Sequence, residues 1–148
     1  MLTETLSQLF NRDLLRLHQE IGLYQEEHTL WQVLPGTANS GGNLCLHLVG
    51  NLRTYIGAAL GGVAYTRNRE QEFARKNVPR QELLTQVQQT IDVVDQTLAG
   101  LPDSALEQEY PLLVLAAPTS TEYFLVHLLA HLSYHLGQIN YHRRRLEA

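Results

Sequence analysis

The histidines are the residues of this sequence best suited to chemistry, because neutral imidazole binds divalent metals and titrates near neutral pH. Four of the seven lie in the last part of the chain, at His127, His131, His135 and His142. Each helical residue turns the side chain by about 100°, so these four rings follow one edge of a helix. Two histidines four residues apart place their imidazoles one above the other, where both can bind one ion. Spacing alone admits either His127 with His131 or His131 with His135 as that pair.

A third ligand has to come from another part of the chain, and His47 is the best candidate. It lies in the uncharged segment 43–51, which predicts a buried helix, and a buried histidine needs a hydrogen-bond partner or a metal. Cys45 lies about 200° away around that helix, so we interpret it as a small buried thiol. The segment 131–135 lacks the glutamate of the zinc-peptidase motif. An ordinary hydrogen-bonded core histidine is the alternative interpretation at each position.

Polar neighbours of these histidines could orient the rings or bind a substrate. Asn43 and Asn51 each lie one turn from the histidine between them, and Gln138 lies three residues after the last histidine of the spaced pair. The alternatives are a helix cap for Asn43 and an ordinary interhelix hydrogen bond for Gln138. For Arg53 we favour extension to solvent or pairing with a first-helix glutamate over binding a substrate carboxylate.

Four amphipathic helices are predicted to position these residues, because apolar side chains recur at spacings of three and four. Pro35-Gly36 ends the first helix, Gly100 ends the third, and the capping-box spacing Thr119-x-x-Glu122 begins the fourth. The predicted helices cover about residues 2–31, 43–65, 79–100 and 119–146. Residues 66–78 are highly charged and predict a solvated connection that is partly helical, while residues 111–117 predict a short strand or a cover over the bundle end. The pattern favours an all-α four-helix bundle forming a single domain over residues 1–148.

Composition excludes several classes of function. The single cysteine excludes an intramolecular disulfide framework and a cysteine-rich metal site. A net charge of −4 with one lysine argues against nucleic acid as a partner. The uncharged stretch 123–142 contains too many histidines and amides for a membrane span. The N-terminus lacks the pattern of a secretory signal, so we expect a cytoplasmic location and no membrane partner.

Two motifs carry a resemblance to a known family. The segment Asn43-Leu-Cys-Leu-His47-Leu-Val-Gly-Asn51-Leu, with the later His131-x-x-x-His135-Leu-Gly137-Gln138, resembles the DinB/YfiT-like superfamily of metalloenzymes. The resemblance covers nearly the whole chain in length and helix order, and it implies a four-helix bundle. It also implies that His47, His131 and His135 bind one divalent metal ion, with zinc, nickel or iron as candidates. Tyr134 stands where many members have a second histidine.

Characterised relatives include transferases and isomerases that use low-molecular-weight thiols. The resemblance therefore implies a metal-dependent enzyme, a thiol-dependent S-transferase or a hydrolase, that acts on a small-molecule substrate and forms a homodimer. Three neutral imidazoles leave a metal with an open position for water or thiol, as catalytic sites do. The alternative is a non-catalytic metal-binding protein in stress or interaction. A third interpretation is a bundle that binds an apolar ligand and merely hydrogen-bonds its histidines.

Overall fold

A computed structural model describes residues 1–147 of the chain, and in that range the protein is all-helical, as predicted. It contains no β-strand there, only an isolated antiparallel bridge between Glu109 and Ser120. Short 3-10 helices occupy Glu27–Trp31 and Asp103–Glu107, and a π-helix occupies Arg53–Ala58. The α-helices are α1 (Leu2–Leu23), α2 (Gly41–Leu52), α3 (Arg69–Ala74), α4 (Arg80–Ala99) and α5 (Thr121–Leu146).

The four longer helices enclose one hydrophobic core. Helix α1 packs against α4 and α5, while α2 packs against α4, α5 and the short α3. Fully buried leucines such as Leu17, Leu48, Leu83 and Leu132 come from each of the four helices in turn. Burying a side chain of this size contributes about 1.5–3 kcal/mol. Every residue of α2 is buried, so any polar side chain on this helix has to find its partners inside the protein.

The first helix is shorter than predicted. Helix α1 ends at Leu23, and the chain turns out of the helix at Tyr24 before the 3-10 helix 27–31 begins. The Glu147 carboxylate accepts hydrogen bonds from the backbone N–H groups of Gln25 and Glu26, at 2.9 to 3.1 Å. A residue at the far end of the chain therefore stabilises this break, and no local pattern reveals it.

The helices predicted over residues 43–65 and 119–146 correspond to α2 and α5, and both differ from the prediction at their ends. Regular α-helical hydrogen bonding in α2 ends at Leu52, the π-helix continues to Ala58, and Gly62 turns the chain with φ 65°. The N-cap of α5 is Ser120, whose hydroxyl accepts from the N–H of Tyr123 at 3.1 Å. The capping box predicted from Thr119 does not form, because Ser120 occupies the N-cap position, and the Thr119 carbonyl accepts the backbone N–H of Tyr110 beside the isolated bridge.

The two predicted connections agree with the prediction only in part. Residues 66–78 contain helix α3, in agreement with the partly helical connection predicted there, but they also contain a buried glutamate, so this segment is not simply solvated. Residues 111–117 form no strand and are mostly exposed, with Leu115 packing against the core. Within residues 1–147, none of the helices combines the length and the apolar character needed to cross a bilayer.

Candidate metal centre

Three histidines from two helices meet at one point between α2 and α5. His47, His131 and His135 each offer a ring nitrogen, and these three atoms lie within 4.8 Å of one another. The ring centroids are 5.0 Å apart for His47 and His131, 5.4 Å for His47 and His135, and 4.5 Å for His131 and His135. The structure thus brings together the three residues that the resemblance implies as ligands, and their role as ligands stays a prediction.

The closest pair of nitrogens fits a shared cation. His47 Nε2 and His131 Nε2 lie 3.1 Å apart. Two ligands on a tetrahedral zinc ion with Zn–N bonds of about 2.0–2.1 Å are separated by about 3.3 Å. Two lone pairs at this distance repel each other, so a proton or a cation has to lie between the rings. The spacing therefore fits either an N–H···N hydrogen bond between the two rings or a shared divalent ion.

Hydrogen bonds at the opposite ring nitrogens direct the lone pairs of two rings toward this point. His47 Nδ1 lies 3.0 Å from Glu72 Oε1, and because an ionised carboxylate only accepts, Nδ1 carries the proton. His135 Nδ1 lies 2.7 Å from Gln138 Oε1 and donates in the same way. Each of these two rings therefore carries its lone pair on Nε2. His131 Nδ1 is buried with no hydrogen-bond partner among the described residues.

The surroundings keep the rings of His131 and His135 uncharged, which metal binding requires. Burial, together with the neighbouring rings of His135 and His47, lowers the pKa of His131 to about 4. Burial also lowers the pKa of His135, although the hydrogen bond to Gln138 opposes this shift. At neutral pH both rings are neutral and ready to donate a lone pair.

Glu72 on α3 is a site residue that the sequence did not indicate. Its side chain is 6% exposed and accepts two hydrogen bonds from Arg67, from Nε at 2.9 Å and from the terminal nitrogen at 3.0 Å. Burial raises the pKa of Glu72, but the hydrogen bonds from His47 and Arg67 outweigh it and hold the pKa below its usual value. One sequence feature could have indicated that this segment is partly buried, namely Phe73, the sole aromatic residue of the charged segment 66–78. Its ring centroid lies 4.8 Å from that of His47.

Asn43 fastens α3 against α2. Its Nδ2 donates to the carbonyls of Glu72 at 2.9 Å and Arg75 at 2.8 Å. Its Oδ1 accepts from Ser40 Oγ at 2.7 Å and from Lys76 Nζ at 2.5 Å. Ser40, rather than Asn43, caps the helix, since its hydroxyl accepts from the Asn43 N–H. Asn43 therefore sets the position of the backbone that carries the buried carboxylate.

The other polar residues considered from the sequence lie elsewhere. His142 is buried one turn beyond Gln138, where it accepts from the Tyr24 hydroxyl at 2.6 Å and donates to the Gln32 carbonyl at 2.7 Å. His127 packs beside Phe124, with ring centroids 5.6 Å apart. These two histidines share the helix edge with the cluster but do not join it.

The contacts of Arg53 and the burial of Cys45 decide between the interpretations considered for these two side chains. Arg53 lies over the ring of Tyr65 with its guanidinium carbon 4.9 Å from the ring centroid, and it forms no ion pair with a first-helix glutamate. Cys45 is fully buried, and burial raises the pKa of its thiol to about 12. It is therefore unsuited to binding metal or acting as a nucleophile.

A protein-family model matches most of the chain. A family model described as a protein of unknown function, DUF1572, matches residues 16–148. The chain belongs to the DUF1572 family. The match includes the three clustered histidines and Glu72, so the whole centre lies within the DUF1572 region. No curated protein matches the chain.

Proposed function

We propose that this DUF1572 protein is a divalent-metal-dependent enzyme of the DinB/YfiT-like type, built as a single-domain four-helix bundle. His47, His131 and His135 would hold one ion of zinc, nickel or iron. The observation that carries this function is the convergence of three imidazole nitrogens, from helices far apart in sequence, within 4.8 Å. The anionic partner of His47 and the amide partner of His135 support it, because metal-binding histidines usually donate their second N–H in this manner.

The number of ligands favours catalysis over a structural role. Within residues 1–147 the cluster consists of these three histidines, and no fourth His, Cys, Asp or Glu atom completes it. Structural zinc sites use four protein ligands, whereas catalytic sites use three and leave one position open. When bound, the ion would supply Lewis acidity that lowers the pKa of a thiol or of water at that open position. The protein contributes the fixed rings, the neutral protonation states and the buried carboxylate.

A low-molecular-weight thiol is the proposed co-substrate. The thiol of Cys45 is fully buried and its pKa is raised to about 12, so the protein itself offers no accessible sulfur nucleophile. A reacting sulfur therefore has to enter with the substrate. In S-transfer this sulfur forms a bond to an electrophilic carbon, the thiol proton is released, and the leaving group departs with the electron pair of its bond.

Metal analysis and thiol binding together test this function. Protein prepared without a histidine tag is stripped with a chelator and titrated with Zn²⁺, Ni²⁺ and Co²⁺, and the bound metal per chain is measured. We expect one ion per chain in the wild type and less than about 0.2 in His131→Ala. In the Co²⁺ form, a small thiol such as 2-mercaptoethanol should add a sulfur-to-metal charge-transfer band. One bound ion without any thiol band would favour the non-catalytic metal-binding alternative. Failure of the wild type to bind metal would refute both.

A further inference from the structure

A cavity of about 610 Å³ opens beside the candidate metal centre. It lies between the loop that follows the 3-10 helix 27–31 and the second half of α5, and His135 forms part of its wall. Pockets for small organic molecules have volumes of about 300–1,000 Å³. The wall comprises apolar, aromatic and uncharged polar residues, chiefly Leu34, Ala38, Leu44, Tyr134, Gln138 and Tyr141.

The chemistry of the wall selects against charged ligands. None of the residues that line the cavity is Asp, Glu, Lys or Arg. Of its two histidines, His142 already uses both ring nitrogens, for the Tyr24 hydroxyl and the Gln32 carbonyl. A charged molecule would lose hydration there without gaining a partner of opposite charge. Tyr134 and Tyr141 are 66% and 72% exposed, so their ring faces are available for stacking with an aromatic ligand.

Gly137 provides an independent observation in favour of a ligand in this cavity. It lies in the interior of α5 between Tyr134 and Tyr141, where glycine costs about 1 kcal/mol relative to alanine. A Cβ at this position would meet no atom within 4 Å, so packing does not require a glycine. Gly137 does line the cavity, where the missing side chain leaves space between the two tyrosines. Close approach of a ligand to the helix backbone is a recognised reason for glycine.

We infer that this cavity binds an uncharged aromatic small molecule and presents it to the metal centre through the shared wall at His135. The inference rests on the proposed function for the role of this molecule as a substrate. Binding itself depends only on the shape and neutrality of the cavity. Gln138 connects the two sites, because it lines the cavity and accepts the Nδ1 proton of His135.

The test compares two probes of nearly equal shape, 2-naphthol, which is uncharged at pH 7.5, and 2-naphthoate, which is anionic. Binding to the full chain is measured by calorimetry with and without Zn²⁺. Gly137→Leu fills the space from α5, and Ala38→Trp fills it from the opposite wall. Gly22→Leu is the matched control, because Gly22 is also an exposed helical glycine with no atom within 4 Å of an added Cβ, and it does not line this cavity.

In the metal-free protein we expect 2-naphthol to bind at least about tenfold more tightly than 2-naphthoate, because the anion is desolvated there without compensation. Both filling variants should weaken 2-naphthol by about tenfold or more and retain the zinc content of the wild type, while Gly22→Leu changes neither property. Equal affinity for the two probes, or unchanged affinity in both filling variants, would overturn the inference. A loss of self-association in the filling variants, with no change in probe binding, would also overturn it, because the surface would then bind a second copy of the chain.

Zinc content, measured in the same samples, separates this inference from the proposed function. Zinc binding without 2-naphthol binding refutes the cavity and leaves the metal centre. Selective 2-naphthol binding by protein that takes up no metal supports the cavity and refutes the metal-dependent function.

Discussion

Replacing Glu72 by glutamine tests whether the buried carboxylate supports the metal centre. Glutamine has nearly the same shape, and its Oε1 can still accept the Nδ1 proton of His47. The change removes the negative charge that now lies 3.0 Å from that nitrogen. It also leaves Arg67, whose side chain is 14% exposed, without its ion-pair partner. Both losses act on the same ligand, because the partner of a metal-binding imidazole sets its basicity and its orientation.

The expected magnitude follows from this arrangement. Mutation of such a partner typically weakens metal affinity by about 10- to 100-fold, which corresponds to about 1.4–2.8 kcal/mol. We expect the zinc dissociation constant of Glu72→Gln to rise by this factor with the stoichiometry unchanged. The free energy of unfolding should fall by about 1–3 kcal/mol, because the largely buried charge of Arg67 loses its partner.

Gly50 offers a second route to the same carboxylate. A Cβ added at Gly50 would overlap Glu72 Oε2 and lie 2.6 Å from its Cδ, so Gly50→Ala has to displace the carboxylate from His47. This variant keeps the charge and improves helix propensity. Its zinc affinity should nevertheless fall to the range expected for Glu72→Gln. In the double variant the two losses should not add, because both remove one interaction.

The assay is competition for Zn²⁺ against a chromophoric chelator, with thermal unfolding of the metal-free proteins measured in parallel. Glu70→Gln is the matched control, because Glu70 is exposed on the same short helix and should leave zinc affinity unchanged. The role assigned to Glu72 is refuted if Glu72→Gln and Gly50→Ala both bind zinc within about twofold of the wild type. Strictly additive losses in the double variant would refute the shared mechanism.

Three other expectations follow from the contacts. His131→Ala should lose metal while retaining its helical circular dichroism, whereas His142→Ala should keep metal and lose about 2–3 kcal/mol of stability, because two buried hydrogen bonds disappear. Cys45 should resist iodoacetamide in the native protein and react only after denaturation, because its pKa is raised to about 12. Burial raises the pKa of Glu20, but hydrogen bonds from Arg143 and Asn140 lower it further than burial raises it. The stability from this ion pair is therefore present above about pH 4.5 and lost as the pH falls through the lowered pKa. In urea unfolding between pH 7 and pH 3, the wild type should lose about 1 kcal/mol more stability than Glu20→Gln, because the other carboxylates with lowered pKa values titrate in both proteins.

The histidine cluster could be predicted from the sequence because each part of it follows a local rule. His131 and His135 repeat at the helical spacing, and His47 lies in an uncharged helix where a polar ring needs a partner. The choice between the pairs 127/131 and 131/135 could not be made in this way. It depends on which turn of α5 faces α2, and that is set by packing between the helices.

Glu72 could not be predicted for a related reason. A run of charged residues such as 66–78 ordinarily lies in solvent, because burying an ion without a partner is costly. Here Arg67 lies within the same run and pairs with the carboxylate, and the two tertiary hydrogen bonds from Asn43 hold the run against α2. Arg67 and Asn43 are both present in the sequence, but nothing in their spacing relative to Glu72 indicates that they contact this residue.

The balance of charge at the centre also bears on the fourth ligand. The three rings are neutral as ligands, and the negative charge of Glu72 is matched by the positive charge of Arg67 at 2.9 Å. A divalent ion held by His47, His131 and His135 would therefore keep both of its positive charges, in surroundings where burial already lowers the pKa of His131. Such a site favours an anionic fourth ligand over a neutral one, because an anion reduces the uncompensated charge. Thiolate should therefore compete effectively with water. Removing the Glu72 charge should strengthen thiolate binding while it weakens zinc binding, and a role for Glu72 in helix packing alone predicts no such opposite change.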